Sequence, residues 1–130
     1  MLYKEITEKV IGVFYEVYRI LGPGFLEAVY EEAMVIEFRR RGIKFGRQVG
    51  ISVCYKDERC KDYFVDFLVE GEVVVEIKAK KSLEGFDEAQ LINYLSPRDD
   101  SGEPNGTGKK VGLLVNFGGE DIEFKRMVYR

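Results

Sequence analysis

The sequence predicts an α/β fold, an α/β/α sandwich around a mixed five-stranded sheet, and three observations predict it. Two stretches with apolar residues at helical spacing open the chain, three strand-like runs joined by polar turns follow, and a third helical stretch precedes two more strands. A helix between two strands of one sheet makes a right-handed crossover, so the third and fourth strands should be parallel neighbours. The last strand then returns antiparallel, and helices cover both faces.

Residues 2–21 place Ile6, Val10, Val13, Phe14, Val17 and Leu21 on one face, the pattern of a packing helix. Leu21-Gly22-Pro23-Gly24 ends it, because two glycines and a proline cannot continue a helix. Residues 25–41 form the second helix, with Leu26, Val29, Tyr30, Ala33, Met34 and Phe38 inward and Gly42 as the stop. Glu27 lies in line with Tyr30, Met34 and Phe38, so it is expected to point toward the core side. It is either a first-turn glutamate that satisfies the helix N-terminus or a further acid aimed at the carboxylates described next. The basic run Arg39-Arg40-Arg41, with Lys44 and Arg47, suits a solvated helix C-terminus more than a phosphate clamp.

Residues 51–56 read as a short strand, and Lys56-Asp57-Glu58-Arg59 turns the chain into a central hairpin, giving a three-stranded antiparallel meander. The hairpin strands are residues 63–69 and 73–79, with Glu70-Gly71-Glu72 as the bend. Asp66, Glu76 and Lys78 interrupt these apolar strands. Alternation puts Glu76 and Lys78 on one face. Whether Asp66 joins them depends on loop parity. With loop 70–72, Val69 faces Val73 and Asp66 lies opposite Glu76, Cβ atoms about 4.5–5.5 Å apart. Loop 69–71 makes the pair diagonal on the same face, and a two-residue Glu70-Gly71 turn flips Glu76 away. The odd loop is expected, because only it makes the two acids neighbours. Side-by-side carboxylates repel, and a bound cation reverses that.

Lys80-Lys81-Ser82 leads into the third helix, with Ser82 as N-cap, Ala89, Leu91, Ile92 and Leu95 apolar, and Pro97 beyond its end. Gln90 and Tyr94 are one turn apart on a shared face; Gln90 is either a structural hydrogen bonder or a site residue. Residues 96–109, dense in Ser, Pro, Asp, Gly and Asn, predict an exposed, mobile loop. Residues 110–117 and 122–129 are the closing strands, joined by Gly118-Gly119-Glu120-Asp121.

The chain of 130 residues, 45% apolar and 33% charged, is expected to fold as one domain over residues 1–130. No apolar run is long enough to span a bilayer and no leader is evident, so a cytoplasmic location is expected. A net charge of −3 gives no global attraction to nucleic acid. The absence of His excludes a His nucleophile or general base and the usual Cys/His zinc sites. Cys54 and Cys60 flank a hairpin turn and are expected to be reduced.

An Asp on one strand, Glu-x-Lys on the next and a Glu on a preceding helix resemble the PD-(D/E)XK nuclease superfamily, which has a restriction-endonuclease-like sandwich with an αβββαβ core. More closely, Gly24-Phe25-Leu26-Glu27-Ala28-Val29-Tyr30, the Asp66 strand, Glu76-Ile77-Lys78, Ala89-Gln90-Leu91-Ile92-Asn93-Tyr94-Leu95, Leu114-Val115-Asn116-Phe117-Gly118 and Lys125-Arg126 are similar to the GxxExxY protein family. The likeness covers nearly the whole chain. It implies a nuclease acting on DNA or RNA in which Asp66 and Glu76 bind Mg²⁺ or Mn²⁺ and Lys78 orients or activates the attacking water. Glu27, as a further metal-side acid, and Gln90 would complete the site from two helices. Tyr30 and Tyr94 match motif positions, and core packing explains them equally well.

The chemistry agrees with the resemblance. Phosphodiester hydrolysis needs an in-line water and neutralisation of developing charge, which a hard cation on carboxylates helps to supply. Lys78 and Lys80 continue the Glu76 face. Two other readings stay open: a cross-strand ion pair on a surface strand, and a catalytically silent module that binds nucleic acid or a protein. A small acidic nuclease is also expected to grip a duplex better as a homodimer.

Overall fold

The computed structural model describes residues 1–96 and 106–129. Two helices, α1 (Lys4–Leu21) and α2 (Glu27–Arg40), precede strands β1 (Phe45–Tyr55), β2 (Glu58–Val69) and β3 (Val73–Lys78). Helix α3 (Gly85–Leu95) and strands β4 (Val111–Asn116) and β5 (Glu123–Val128) follow. The strands lie in one sheet in chain order. Strands β3 and β4 are parallel and the other neighbours antiparallel, the mixed five-stranded arrangement expected of an α/β sandwich. Residues 97–105, most of the expected mobile loop, lie outside the described residues.

Each sheet face buries its own apolar set. Val10, Val13, Phe14 and Val17 of α1, with Tyr30, Met34 and Phe38 of α2, pack on Phe67, Val73, Val75, Leu113 and Val115. On the opposite face Leu91 and Leu95 of α3 cover Val65, Val74 and Leu114. Helix α2 departs from expectation at its start: Leu26 is 79% exposed and Val29 39%. Leu26 is the extended N-cap residue rather than part of the helix, and Val35 takes a core place instead. At 100° per residue Val29 faces away from the stripe made by Tyr30, Met34, Val35 and Phe38.

The first hairpin is longer than the sequence suggests. It turns at Lys56 and Asp57, whose φ values of 48° and 70° make a two-residue loop, with Tyr55 opposite Glu58. Glu58 and Arg59 therefore belong to a strand, not to the turn. Residues 58–64 are exposed, so burial imposes no apolar alternation that would reveal them as strand. Cys60 falls at a register shift while Cys54 pairs with Arg59, so the thiols do not oppose one another and form no disulfide. Ser82 is likewise not the cap of α3. Glu84 is, in a capping box with Asp87.

Candidate active site

The site grows from the β2–β3 hairpin. Its loop is residues 70–72, with Glu70 and Gly71 both left-handed (φ 53° and 69°) and Val69 opposite Val73. This odd parity puts Asp66 and Glu76 side by side. The backbone ladder runs only from Val69↔Val73 to Phe67↔Val75. At the next position side chains cross between the strands: Asp66 N–H donates to Glu76 Oε1 at 2.8 Å, and Ile77 N–H donates to Asp66 Oδ2 at 2.7 Å. The carboxylates thus satisfy amides that a regular ladder would pair, and the buried backbone stays saturated.

Glu76 is only 6% exposed. Burial, then the neighbouring Asp66 charge, pushes its carboxyl up to about 8, against the opposing pull of the Asp66 N–H and Lys78. Burial also raises Asp66, while the Ile77 N–H and the Gln48 amide pull it down. The arrangement thus disfavours two anions unless positive charge is brought to them.

Lys78, two residues beyond Glu76 on the same face, directs Nζ to Gln90 Oε1 at 2.9 Å. Gln90 comes from α3, so the sheet and the α3 layer meet at this contact. The strand end that carries Lys78 is fixed by Asn116, fully buried at the end of β4. Its Oδ1 accepts the N–H groups of Lys80 and Gly118, and its Nδ2 donates to Lys80 O and Glu123 Oε1. Gly118 must be glycine here, because a Cβ would stand 2.4 Å from Lys80 N and O. Lys80 itself binds Asp87 at 2.9 Å and Glu84 at 3.2 Å, tying the β3 exit to the start of α3.

Glu27 opens α2 in an exposed position rather than on the core side, because the helix starts beyond the edge of the apolar core. Burial of its carboxyl region and the charges of Asp66 and Glu31 raise its pKa, opposed by Lys78, which places it in electrostatic reach of the pair. The loop that positions it is held by Tyr30: the fully buried phenol donates to Gly22 O at 2.6 Å, accepts Phe25 N–H at 3.2 Å and stacks on Phe117 at 4.6 Å. Gly24 in that loop has φ 112°, open to glycine at little cost. Gly24 and Tyr30 thereby fix the turn from which α2 and Glu27 start. Tyr94 lies on the Gln90 face of α3, its ring 5.8 Å from that of Tyr63. Lys125 pairs with Glu88 of α3, and Arg126 donates to Leu2 O.

The structure adds a group that sequence reasoning missed. Gln48 sits in β1 with φ 50°, between the pairs Arg47↔Phe67 and Val49↔Val65, level with Asp66. Its Nε2 donates to Glu31 Oε1 at 2.6 Å and to Asp66 Oδ1 at 3.1 Å. Arg47 binds Glu31 at 2.7 Å and also pairs with Glu32, so it serves α2 rather than capping its end. A left-handed non-glycine residue inside a strand costs roughly 1–3 kcal/mol and marks a place held for its geometry.

As a metal site, the donor set is spare. Among the described residues no three or more His, Cys, Asp or Glu side chains converge closely enough to hold an ion, so Glu27 does not join Asp66 and Glu76 as a third donor; those two carboxylates, tied to the facing strands by the Asp66 and Ile77 N–H groups, are the set available. That set fits Mg²⁺, which commonly takes one or two carboxylates and fills the remaining positions with waters and substrate phosphate.

A family model for the PD-(D/E)XK nuclease superfamily matches residues 4–127. The chain belongs to that superfamily, whose nucleases generally use divalent metals. It is also similar to the protein in "Crystal structure of SSO0001", at 18% identity and a TM-score of 0.56, over 96% of this chain and 58% of that one. That likeness supports the fold, and this chain spans little more than half of the other. No curated protein matches the sequence. Among the described residues no helix is long and apolar enough to cross a membrane.

Proposed function

We propose that this chain is a metal-dependent phosphodiester hydrolase acting on DNA or RNA, a GxxExxY-type nuclease built as a single domain. The observation that carries the reading is the contact of Lys78 with Gln90, made on the face where Asp66 and Glu76 are joined crosswise. Asp66 and Glu76 would hold Mg²⁺ or Mn²⁺, and Glu27, exposed at the start of α2, would act through its charge and not as a third ligand. When bound, the cation would polarise a phosphoryl oxygen and offset the charge of the transition state.

The chain's own groups do the rest. The Lys78 ammonium has N–H donors beyond the one given to Gln90, and these are the groups for the attacking water and the phosphate, where charge develops. Gln90 fixes the Lys78 rotamer, and Gln48 fixes the Asp66 carboxylate, so both geometries exist before substrate arrives. A second copy of the chain would widen the grip on a duplex, since a net charge of −3 supplies no long-range attraction.

The test is cleavage of single- and double-stranded DNA and RNA with Mg²⁺ or Mn²⁺ by the native protein and by Asp66→Ala and Lys78→Ala. Turnover that disappears in both variants supports the hydrolase. The sparse donor set favours one other reading, a silent module that binds without cutting. Binding unchanged by EDTA, with no turnover in any arm, would establish it.

A further inference from the structure

Between the β1–β2 hairpin and α3 runs a groove of about 490 Å³, within the roughly 300–1,000 Å³ of small-ligand sites. Val53 and Tyr63 line it from the hairpin, and Phe86, Gln90, Asn93 and Tyr94 line it from α3. Its aromatic side chains are partly unburied: Phe86 is 71% exposed and Tyr63 38%. A phenylalanine so exposed in the first turn of a helix packs little of its ring against the protein. Lys61 Nζ lies 5.7 Å from the Tyr63 ring, adding a cation on the hairpin side.

The groove is continuous with the candidate active site. Gln90 lines it and at the same time accepts from Lys78. Tyr94, also in its lining, has its hydroxyl pKa raised by burial and then by the Glu76 and Asp66 charges, so the acids are its electrostatic neighbours. Gln90 is thus shared between the groove and the contact that holds Lys78.

The lining chemistry selects the occupant. Exposed rings offer π faces, the Asn93 amide offers a donor and an acceptor for a base edge, and the neighbouring Lys61 and Lys78 suit a phosphate backbone. A paired base keeps its faces stacked and its edge occupied within the duplex. We propose that this groove binds one unpaired nucleobase of a DNA or RNA strand, stacked on Phe86 and Tyr63, while the adjoining phosphodiester lies at Asp66, Glu76 and Lys78. The proposal rests on the nuclease reading above and narrows its substrate to single-stranded or locally opened nucleic acid.

The test is fluorescence anisotropy with the full chain, using short labelled single strands of DNA and of RNA, the same strands with one abasic position, and the matching duplexes. Calcium replaces magnesium, as a hard cation for oxygen ligands. Native protein should bind single strands at least tenfold more tightly than duplex. Phe86→Ala, a change at an exposed side chain, should weaken single-strand binding by roughly 5- to 150-fold and leave duplex binding unchanged. Tyr63→Ala should act in the same direction, and an abasic strand should lose its sensitivity to both. Equal affinity for strand and duplex, or native single-strand affinity in both variants, overturns the proposal. Parallel cleavage assays separate the two claims. Phe86-dependent binding without turnover keeps the groove and removes the hydrolase, whereas duplex cleavage indifferent to Phe86→Ala keeps the hydrolase and removes the groove.

Discussion

Asp66 and Glu76 are joined across β2 and β3 by a bond in which the Glu76 carboxylate takes the Asp66 N–H at 2.8 Å, at the position where the backbone ladder stops. The sheet gives up regular pairing there, and the two carboxylates take the backbone N–H groups of the facing strands instead. Their position depends on a loop of residues 70–72 and on Gln48, level with Asp66 on β1.

Lys78→Ala should reduce phosphodiester hydrolysis by about 10²- to 10⁴-fold, the usual contribution of a positioned proton-transfer or charge-stabilising group. Gln90→Ala should lower it less, because Lys78 stays present and loses only its anchor. Steady-state rates on one substrate rank the three proteins, and a Gln90→Ala loss exceeding that of Lys78→Ala would reverse these roles.

Gln48 separates stability from function. Both Gln48→Ala and Gln48→Gly remove the amide that bridges Glu31 and Asp66, so both should lose hydrolysis to a similar degree. Only glycine accepts φ 50° without strain, so Gln48→Gly should be the more stable of the two by about 1 kcal/mol. Urea unfolding alongside rate measurements checks this; full activity in either variant would show that the amide does not hold Asp66 for catalysis.

Tyr30→Phe keeps the ring stacked on Phe117 and deletes the hydroxyl that joins Gly22 O and Phe25 N–H. Both bonds are part-buried, and a net hydrogen bond is worth about 0.5–1.5 kcal/mol. Denaturant midpoints should fall accordingly. Hydrolysis should also fall at temperatures where the variant is still folded, because the loop before Glu27 is released.

Asp87 gives the acid limb of stability. Although burial alone would raise its carboxyl, the Lys80 ammonium and the Glu84 N–H hold it below the ordinary range. The folded state therefore binds that proton less readily than the unfolded chain. Its stabilisation is complete above the unfolded value near pH 4 and is lost as pH falls through the depressed folded one. Asp87→Asn should lower the melting temperature at pH 7 and flatten its decline as the pH falls below about 4. A melting curve that falls with acid as steeply as that of the native protein would remove Asp87 from this role.

How far the molecule is legible in its sequence depends on whether burial leaves a pattern. The hairpin around Gly71, the parallel β3–β4 pair and the order of elements follow from apolar alternation and from the crossover rule, and all are present. Strand β1 begins at Phe45 instead of Ile51, because Gly46, Arg47, Gln48 and Gly50 leave no apolar stripe there. Gln48 was invisible for a different reason: a left-handed residue within a strand is a backbone property, and glutamine carries no sign of it. Glu31 carries no local sign of its role either, because its partners Arg47 and Gln48 reach it from β1, 16 and 17 positions away. Asn116 and Gly118 stand in a recognisable run, but their contacts with Lys80 are long-range, across 36 positions for Asn116, and no local pattern encodes them.

Crystals of the native chain soaked in manganese, with diffraction recorded at the metal's absorption edge, test the central claim most directly. We expect an anomalous peak at about 2.0–2.3 Å from a carboxylate oxygen of both Asp66 and Glu76, with Lys78 still on Gln90. A saturating soak that leaves no peak between those carboxylates, in crystals where they keep their crosswise bonds, would contradict it.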